Sequence, residues 1–154
     1  MTIRMHYTHV IPGGMKALGG VHGYLATTDL PRALAELVNL RASQINGCAF
    51  CIDLHTRELL TTIGMAPEKI ALLPVWREGG SLFDTRERAA LAWAESVTRV
   101  ADTGVPQEDY DAARAVFSEK ELGDLTLAVA LINAYNRLAI SFRAPPKAVH
   151  DAGG

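Results

Sequence analysis

The longest helix signal in the chain begins at Ser118, and it restricts the fold more than any other feature. Ser118 and Glu121 form an S-x-x-E capping box, in which each side chain accepts a hydrogen bond from a backbone N–H at the helix start. The helix is predicted to continue to about Phe142, and residues 125–132 are apolar almost all the way round. Because such a helix must be covered on both sides, we expect neighbouring helices around it and partial coverage by another subunit.

The remainder of the chain also predicts helices rather than strands. Only residues 2–7 alternate weakly, whereas glycine, proline and capping residues divide the rest into helical segments. The further predicted helices are 12–26, 30–43 with Asp29 as N-cap, a helix capped by Asn46 that carries Cys48 to His55 and ends at Gly64, 66–73, 84–101 with an Asp84/Glu87 capping box, and 106–117. We predict a loop over 76–82. The chain therefore predicts one all-α domain over residues 1–154, with a flexible, frayed tail from about residue 144.

Composition excludes several classes of function. The chain has 15 basic and 17 acidic residues and a formal net charge of −2, with no basic cluster that could bind nucleic acid. The first six residues lack an apolar signal core, and no apolar run approaches the ~20 residues needed to span a bilayer. The sequence thus predicts a cytoplasmic protein that binds neither nucleic acid nor membrane.

A single C-x-x-C pair carries the chemistry that can be expected of this chain. Cys48 and Cys51 are its only cysteines, and His55 follows four residues after the second. On a helix these three side chains fall within an arc of about 60°. Two thiols and a nearby base at a helix N-terminus favour a reactive thiolate. In a reducing compartment such a pair is typically catalytic, redox-sensing or metal-binding rather than a structural disulfide.

The helix before the C-x-x-C pair offers a second titratable group. Glu36 lies at the edge of an apolar stripe, so we expect it to be partly buried, with a raised proton affinity that would let it act as a base. An ordinary glutamate at the boundary of the core is the alternative. Arg41, in the middle of the same stripe, is expected to pair with a carboxylate or to cross an interface. His6, His9, His22 and His150 have no partner pattern and are interpreted as surface or structural residues.

Three uses of the C-x-x-C pair stay open on the residues alone: peroxide reduction, disulfide exchange or redox sensing with a protein partner, and zinc binding. Cys48, Cys51 and His55 could supply three zinc ligands and Glu36 a fourth. Structural zinc sites usually draw a second Cys/His pair from elsewhere, and this chain has no other cysteine. The sequence also lacks a glycine-rich nucleotide-binding motif. We therefore predict no bound metal and no cofactor.

Several blocks of the sequence resemble one known family. Residues 36–51, ELVNLRASQINGCAFC, followed by His55, are similar to the AhpD-like branch of the alkylhydroperoxidase/carboxymuconolactone decarboxylase superfamily. The likeness continues in residues 76–78 (WRE), 86–95 (RERAALAWAE), 125–127 (LTL) and 132–138 (INAYNRL), and so covers the chain from about Leu30 to Arg143. Some members have a second histidine between the two cysteines, where this chain has Ala49 and Phe50.

The resemblance implies an all-α domain that assembles into a symmetric homo-oligomer, often a trimer or hexamer. It also implies a thiol-dependent hydroperoxide reductase in which Cys51 is the peroxidatic cysteine, Cys48 the resolving cysteine, and Glu36 with His55 the proton relay. Its partners would be a hydroperoxide substrate and an external dithiol reductant. Decarboxylase members of the superfamily characteristically lack the C-x-x-C pair, so lactone decarboxylation is the less favoured activity.

Overall fold

The computed structural model describes residues 2–152 and the side chains as far as Val149. Within that range the chain is helical and contains no strand, which confirms the all-α prediction. The helices are α1 (Tyr7–Val10), α2 (Pro12–Leu25), α3 (Arg32–Asn46), α4 (Ala49–Arg57), α5 (Pro67–Leu72), α6 (Thr85–Thr98), α7 (Val100–Thr103), α8 (Gln107–Arg114), α9 (Glu119–Phe142) and α10 (Lys147–Ala152). A π-helical segment, Glu58–Ile63, continues α4, and two short 3₁₀ segments, Leu73–Glu78 and Gly80–Leu82, precede α6.

The core forms where α3, α6 and α9 pack against one another. Val38, Ala94, Leu125 and Val129 are fully buried there, and Phe117 closes the end near α8. Burying one such aliphatic side chain contributes about 1.5–3 kcal/mol relative to leaving it exposed. The apolar middle of α9 is thus covered largely by helices of its own chain, although Leu127 remains 37% exposed.

Among the described residues, one helical stretch within Glu119–Val149 is long and apolar enough to cross a membrane, with a mean hydropathy of 1.3 over an 18-residue window. It begins with α9, which packs against α2, α3 and α6. Its side chains Asp124 and Asn136 are buried and hydrogen-bonded within the domain. Because a central core helix passes the same test of length and composition, we interpret α9 as the core helix of this domain.

Both predicted capping boxes are present. The Asp84 side chain accepts the Glu87 N–H at 2.8 Å, and the Ser118 side chain accepts the Glu121 N–H at 3.2 Å. The carboxylate of each glutamate in turn accepts a hydrogen bond from the backbone N–H of its N-cap residue. These local motifs set the start of α6 and of α9, as the sequence predicts.

Two predicted N-caps are wrong. Helix α3 starts at Arg32 with Pro31 rather than Asp29 as its N-cap, because Thr28 Oγ1 accepts the Leu30 N–H and closes the preceding turn. Helix α4 is capped by Cys48 rather than by Asn46, which is the last residue of α3. The Asn46 amide instead bonds to α9, so a long-range contact outweighs its local capping preference.

Other boundaries differ in detail. Residues 76–82, predicted as a loop, lie mostly in the 3₁₀ segments, and the helix predicted to reach Ala101 is interrupted at Arg99. Residues 2–6 are irregular rather than a strand, and the Arg4 N–H bonds the Phe142 carbonyl oxygen at 3.0 Å. Where a frayed tail is predicted, the structure has α10, and the Ala148 N–H donates to Asp53 Oδ2 at 3.2 Å. The predicted fraying at Gly153 and Gly154 lies outside the described residues.

Candidate active site

The C-x-x-C pair sits at the N-terminus of α4. Gly47, with φ +71°, ends α3 in the left-handed conformation that a residue without Cβ adopts at little cost. The next residue, Cys48, is the N-cap of α4, and its Sγ accepts the Cys51 N–H at 3.3 Å. The Cys48 N–H donates to the Ser43 carbonyl oxygen at 3.0 Å. The turn between α3 and α4 therefore holds one sulfur against the free N–H groups of a helix start.

Both cysteines are reduced and buried. Cys48 is 1% exposed and Cys51 is 2% exposed, and they form a cluster with Ala42, Ile132 and Ala139 from α3 and α9. A macromolecule cannot contact either sulfur from the surface of this chain. Access must come through a cavity or by movement of the covering helices.

The two thiols have unequal pKa values, so that one loses its proton much more readily than the other. A hydrogen bond from the Cys51 thiol lowers the pKa of Cys48 from 9.0 to about 7, against the effect of burial, with help from the Cys51 N–H, the Asn136 side chain and the Phe50 N–H. The pKa of Cys51 is raised, because it donates that hydrogen bond, is buried and lies next to the Cys48 charge. Near neutral pH the pair thus carries a negative charge located mainly on Cys48.

Glu36 and His55 form a largely buried acid–base pair. Glu36 on α3 is 9% exposed, and its Oε2 lies 2.6 Å from His55 Nδ1 on α4. The partial burial of Glu36 predicted from its place at the edge of the apolar stripe is confirmed. Because Nδ1 is engaged with the carboxylate, Nε2 is the ring nitrogen left to exchange a proton with another group.

A cavity of about 380 Å³ connects this pair to one of the sulfurs. Cys51 and His55 both line it, whereas Cys48 does not. The rest of its wall is mainly apolar and aromatic and includes Tyr7, Met15, Phe50, Leu54, Ile132 and Tyr135. A neighbouring cavity of about 410 Å³ is lined by Glu36, and His55 belongs to both walls. The structure therefore places Cys51 and His55 in one cavity wall, with Glu36 bonded to His55 and Cys48 next to Cys51, and makes Cys51 the sulfur at the cavity wall.

Three residues near the sulfurs were not predicted as site residues. Asn136 on α9 acts on both thiols and lowers the pKa of each. Tyr7 on α1 lies in the cavity wall, and burial followed by the nearby Cys51 and Cys48 charges raises the pKa of its phenol. His22, interpreted as a surface or structural residue, is exposed and lines both cavities. No local spacing links them to the C-x-x-C pair, although Asn136 lies in one of the family-like blocks.

Arg41 pairs with a carboxylate, as predicted, but away from the sulfurs. Its Nε donates to Glu95 Oε1 at 2.7 Å. Glu95 also accepts bonds from Trp76 Nε1 at 3.0 Å and from Arg77 at 2.6 Å. Burial favours the neutral acid, but the bonds from Arg77, Trp76 and Arg41 outweigh it and hold the pKa of Glu95 below its usual value. This network fastens α3 and the 3₁₀ segment to α6 and is structural.

The zinc interpretation finds no support in the geometry. In the described part of the chain, no three or more histidine, cysteine, aspartate or glutamate side chains converge so as to hold a metal ion. Glu36 is hydrogen-bonded to His55, and the two reduced thiols are hydrogen-bonded to one another.

Comparison with known proteins decides the family. Residues 12–96 match the carboxymuconolactone decarboxylase family. The chain is also 35% identical over 141 residues to Uncharacterized protein YdfG of Bacillus subtilis (strain 168), across 92% of this chain and 95% of YdfG. The chain belongs to the carboxymuconolactone decarboxylase family.

Solved structures place it in the AhpD-like part of that superfamily, as the sequence predicts. A protein of unknown function from Agrobacterium tumefaciens, proposed to be the antioxidant defence protein AhpD, superposes with a TM-score of 0.89 at 37% identity, across 94% of this chain and 98% of that one. A peroxidase-related protein from Ralstonia eutropha JMP134, described as an alkylhydroperoxidase AhpD core, gives a TM-score of 0.77 at 22% identity, across 91% of this chain and 74% of that one. The second likeness concerns the fold alone.

Proposed function

We propose that this family member is a thiol-dependent hydroperoxide reductase. The observation that carries the proposal is the cavity whose wall contains both Cys51 and His55. His55 is hydrogen-bonded to Glu36, and the Cys51 thiol is hydrogen-bonded to Cys48, whose pKa is lowered. These are a nucleophile, a proton relay and a resolving thiol within reach of one small-molecule site. The proposed antioxidant role of the Agrobacterium relative is consistent with this chemistry.

The first step is attack of Cys51 on the hydroperoxide. Passage of the shared proton from Cys51 to Cys48 leaves the thiolate on Cys51, the sulfur at the cavity wall. This thiolate attacks the terminal oxygen of R–O–OH. The S–O bond forms, the O–O bond breaks, and the departing RO⁻ takes a proton from the His55–Glu36 pair to leave as alcohol, or as water when R is hydrogen.

The second step closes the disulfide. Cys48 attacks the Cys51 sulfenic acid, and an S–S bond forms as the S–O bond breaks. The hydroxyl leaves as water with the proton that Cys48 received in the first step. The two thiols are oxidised, and one hydroperoxide is reduced. An external dithiol must then reduce the disulfide by exchange, with Cys48 as the better leaving thiolate because its pKa is the lower.

Protein disulfide exchange and redox sensing with a protein partner are the second candidate function. The 1% and 2% exposures of Cys48 and Cys51 argue against it, because a folded partner must bring its own sulfur into line with one of these. A small hydroperoxide and a slender dithiol can enter through the cavity. The apolar wall around Cys51 favours organic hydroperoxides over hydrogen peroxide.

We further propose that the protein acts as a cytoplasmic homo-oligomer. Leu127 and Ile140 of α9 are 37% and 44% exposed, and an assembly could cover them.

The test is hydroperoxide consumption with dithiothreitol as the supplied dithiol. We expect turnover for the wild type, none for Cys51→Ser, and for Cys48→Ser a single oxidation that leaves a sulfenic acid trappable by dimedone. His9→Gln, which alters a histidine of α1 that lines neither cavity, is the matched control for His55→Gln. Wild-type turnover in both cysteine variants would refute the proposal, and a dimedone adduct on Cys48 of Cys51→Ser would reverse the assigned roles.

A further inference from the structure

Asn136 is a polar side chain in the most buried part of the site. It is 0% exposed on α9 and faces the turn that joins α3 to α4. Its Nδ2 donates to Ser43 Oγ at 3.0 Å, and its Oδ1 accepts from Asn46 Nδ2 at 2.8 Å. The same side chain acts on the sulfurs of Cys48 and Cys51, because it lowers the pKa of both thiols. Burying an amide costs free energy unless its N–H and C=O groups are hydrogen-bonded, so the hydrogen-bond partners of Asn136 determine how it is held.

The orientation of this amide is fixed from a distance. The Val129 carbonyl oxygen can only accept a hydrogen bond, and Asn133 Nδ2 donates to it at 2.9 Å. The Arg137 guanidinium can only donate, and Asn133 Oδ1 accepts from it at 2.9 Å. Asn133 Oδ1 therefore faces Asn46 as an acceptor, so Asn46 must present its NH₂ group, at 2.9 Å.

The consequence passes to the sulfurs. The same Asn46 NH₂ group donates to Asn136 Oδ1, and Asn136 must then direct its own NH₂ group toward Ser43. This donor end of the amide is the one that can lower the pKa of the thiols. If the Asn136 amide were flipped, its NH₂ group would face the NH₂ group of Asn46, and its oxygen would face a sulfur anion. The network thus delivers an N–H donor to the thiols, in the one orientation that favours a negative charge there.

We propose that Asn136 is a positioning residue for the redox cycle, holding the thiolate charge within the C-x-x-C pair through an amide oriented by Asn46 and Asn133. This inference deepens the proposed function and rests on it. The direction of its effect is consistent with the lowered pKa of Cys48, to which the Asn136 bond contributes. A merely structural role, as a tie between α9 and α3, would lower stability without changing the ionisation of the thiols.

The experiment is a pH titration of the reduced protein, followed by the ultraviolet absorbance of the thiolate. For the wild type we expect a midpoint near pH 7, the pKa of Cys48. In Asn136→Asp, which has nearly the same shape, and in Asn136→Ala, the midpoint should move to higher pH. An upward move of about one unit would lower the thiolate fraction at pH 7 about five-fold. Asn46→Ala, which leaves residue 136 in place but removes its orienting donor, should move the midpoint in the same direction by less.

Ser96→Ala is the matched control for lost stability. Ser96 is buried and donates to Asp109 Oδ2 at 2.6 Å, outside the Asn136 network, so its removal should destabilise the protein without moving the midpoint. A wild-type midpoint in the folded Asn136 variants would overturn the inference. If neither of them folds, a wild-type midpoint in Asn46→Ala would overturn it instead. Because the titration needs no peroxide, a wild type with a low midpoint but no turnover would refute the proposed function and leave this inference standing.

Discussion

His55 Nδ1 lies 2.6 Å from Glu36 Oε2, so that a carboxylate–imidazole bond joins α3 to α4 beside the cavity that Cys51 lines. Glu36→Gln keeps the shape of this side chain but removes its charge, so it can no longer stabilise a protonated imidazole. We expect hydroperoxide turnover to fall about 10²-fold or more, as for loss of a general acid–base group, with the fold retained.

The matched control for this variant is Glu58→Gln. Glu58 lines the neighbouring cavity, but it bonds to Arg32 rather than to His55. Its turnover should equal that of the wild type. Full activity in Glu36→Gln would show that the pair does not act as a relay.

The lowered pKa of Cys48 predicts a pH-dependent contribution to stability. An acidic group whose pKa falls from 9.0 in the unfolded chain to about 7 in the folded one stabilises the fold fully above pH 9. That contribution declines as the pH falls from 9 and is absent below about 7. The free energy of unfolding lost in Cys48→Ser, measured by urea denaturation of reduced protein, should therefore grow from pH 7 to pH 9. A difference that stays constant over this range would contradict the lowered pKa.

The glycines of α2 predict a gain in stability on substitution. A Cβ added at Gly19 or Gly23 meets no atom within 4 Å, so each alanine relieves the helix of the entropic cost of glycine without a clash. Gly19→Ala/Gly23→Ala should raise the free energy of unfolding by about 1–2 kcal/mol. Met15 and His22 of this helix line the Cys51 cavity, so a stiffer α2 should also slow reaction with bulky hydroperoxides.

Gly47→Ala provides the opposite case for the same denaturation measurement. Gly47 has φ +71°, a conformation in which a Cβ is strained, so this variant should be less stable than the wild type. A wild-type free energy of unfolding in the α2 double variant would contradict the predicted gain in stability.

The proposed assembly predicts a particle larger than one chain. Light scattering should give a multiple of 16.6 kDa, with a trimer or hexamer expected from the family resemblance. A stable particle of one chain's mass would contradict it.

The sequence predicted local features well and long-range ones poorly. The two capping boxes follow from local spacing, and the burial of Glu36 follows from the apolar stripe of α3. The pairing of Glu36 with His55 was implied only by the family resemblance. The N-cap of α4 could not be predicted in this way, because Asn46 hydrogen-bonds to Asn133 and Asn136, which lie 87 and 90 residues away in sequence. A residue whose best partner lies on another helix cannot be assigned from its neighbours in sequence.

The same limit explains what was missed in the site. Tyr7 and Asn136 reach the sulfurs from α1 and from α9, and nothing near them in sequence signals a thiol partner. The charge distribution between the two cysteines was likewise not predicted. It depends first on the hydrogen bond of the Cys51 thiol to Cys48, then on burial, and then on the Cys51 N–H, which donates to Cys48 Sγ because Cys48 is the N-cap of α4.

The most direct test of the account is a single turnover of the fully reduced protein with a small excess of cumene hydroperoxide and no reductant. The account predicts that each chain consumes one hydroperoxide, loses both thiols and gains a disulfide between Cys48 and Cys51. Thiols that remain reduced, with the hydroperoxide unconsumed, would contradict it.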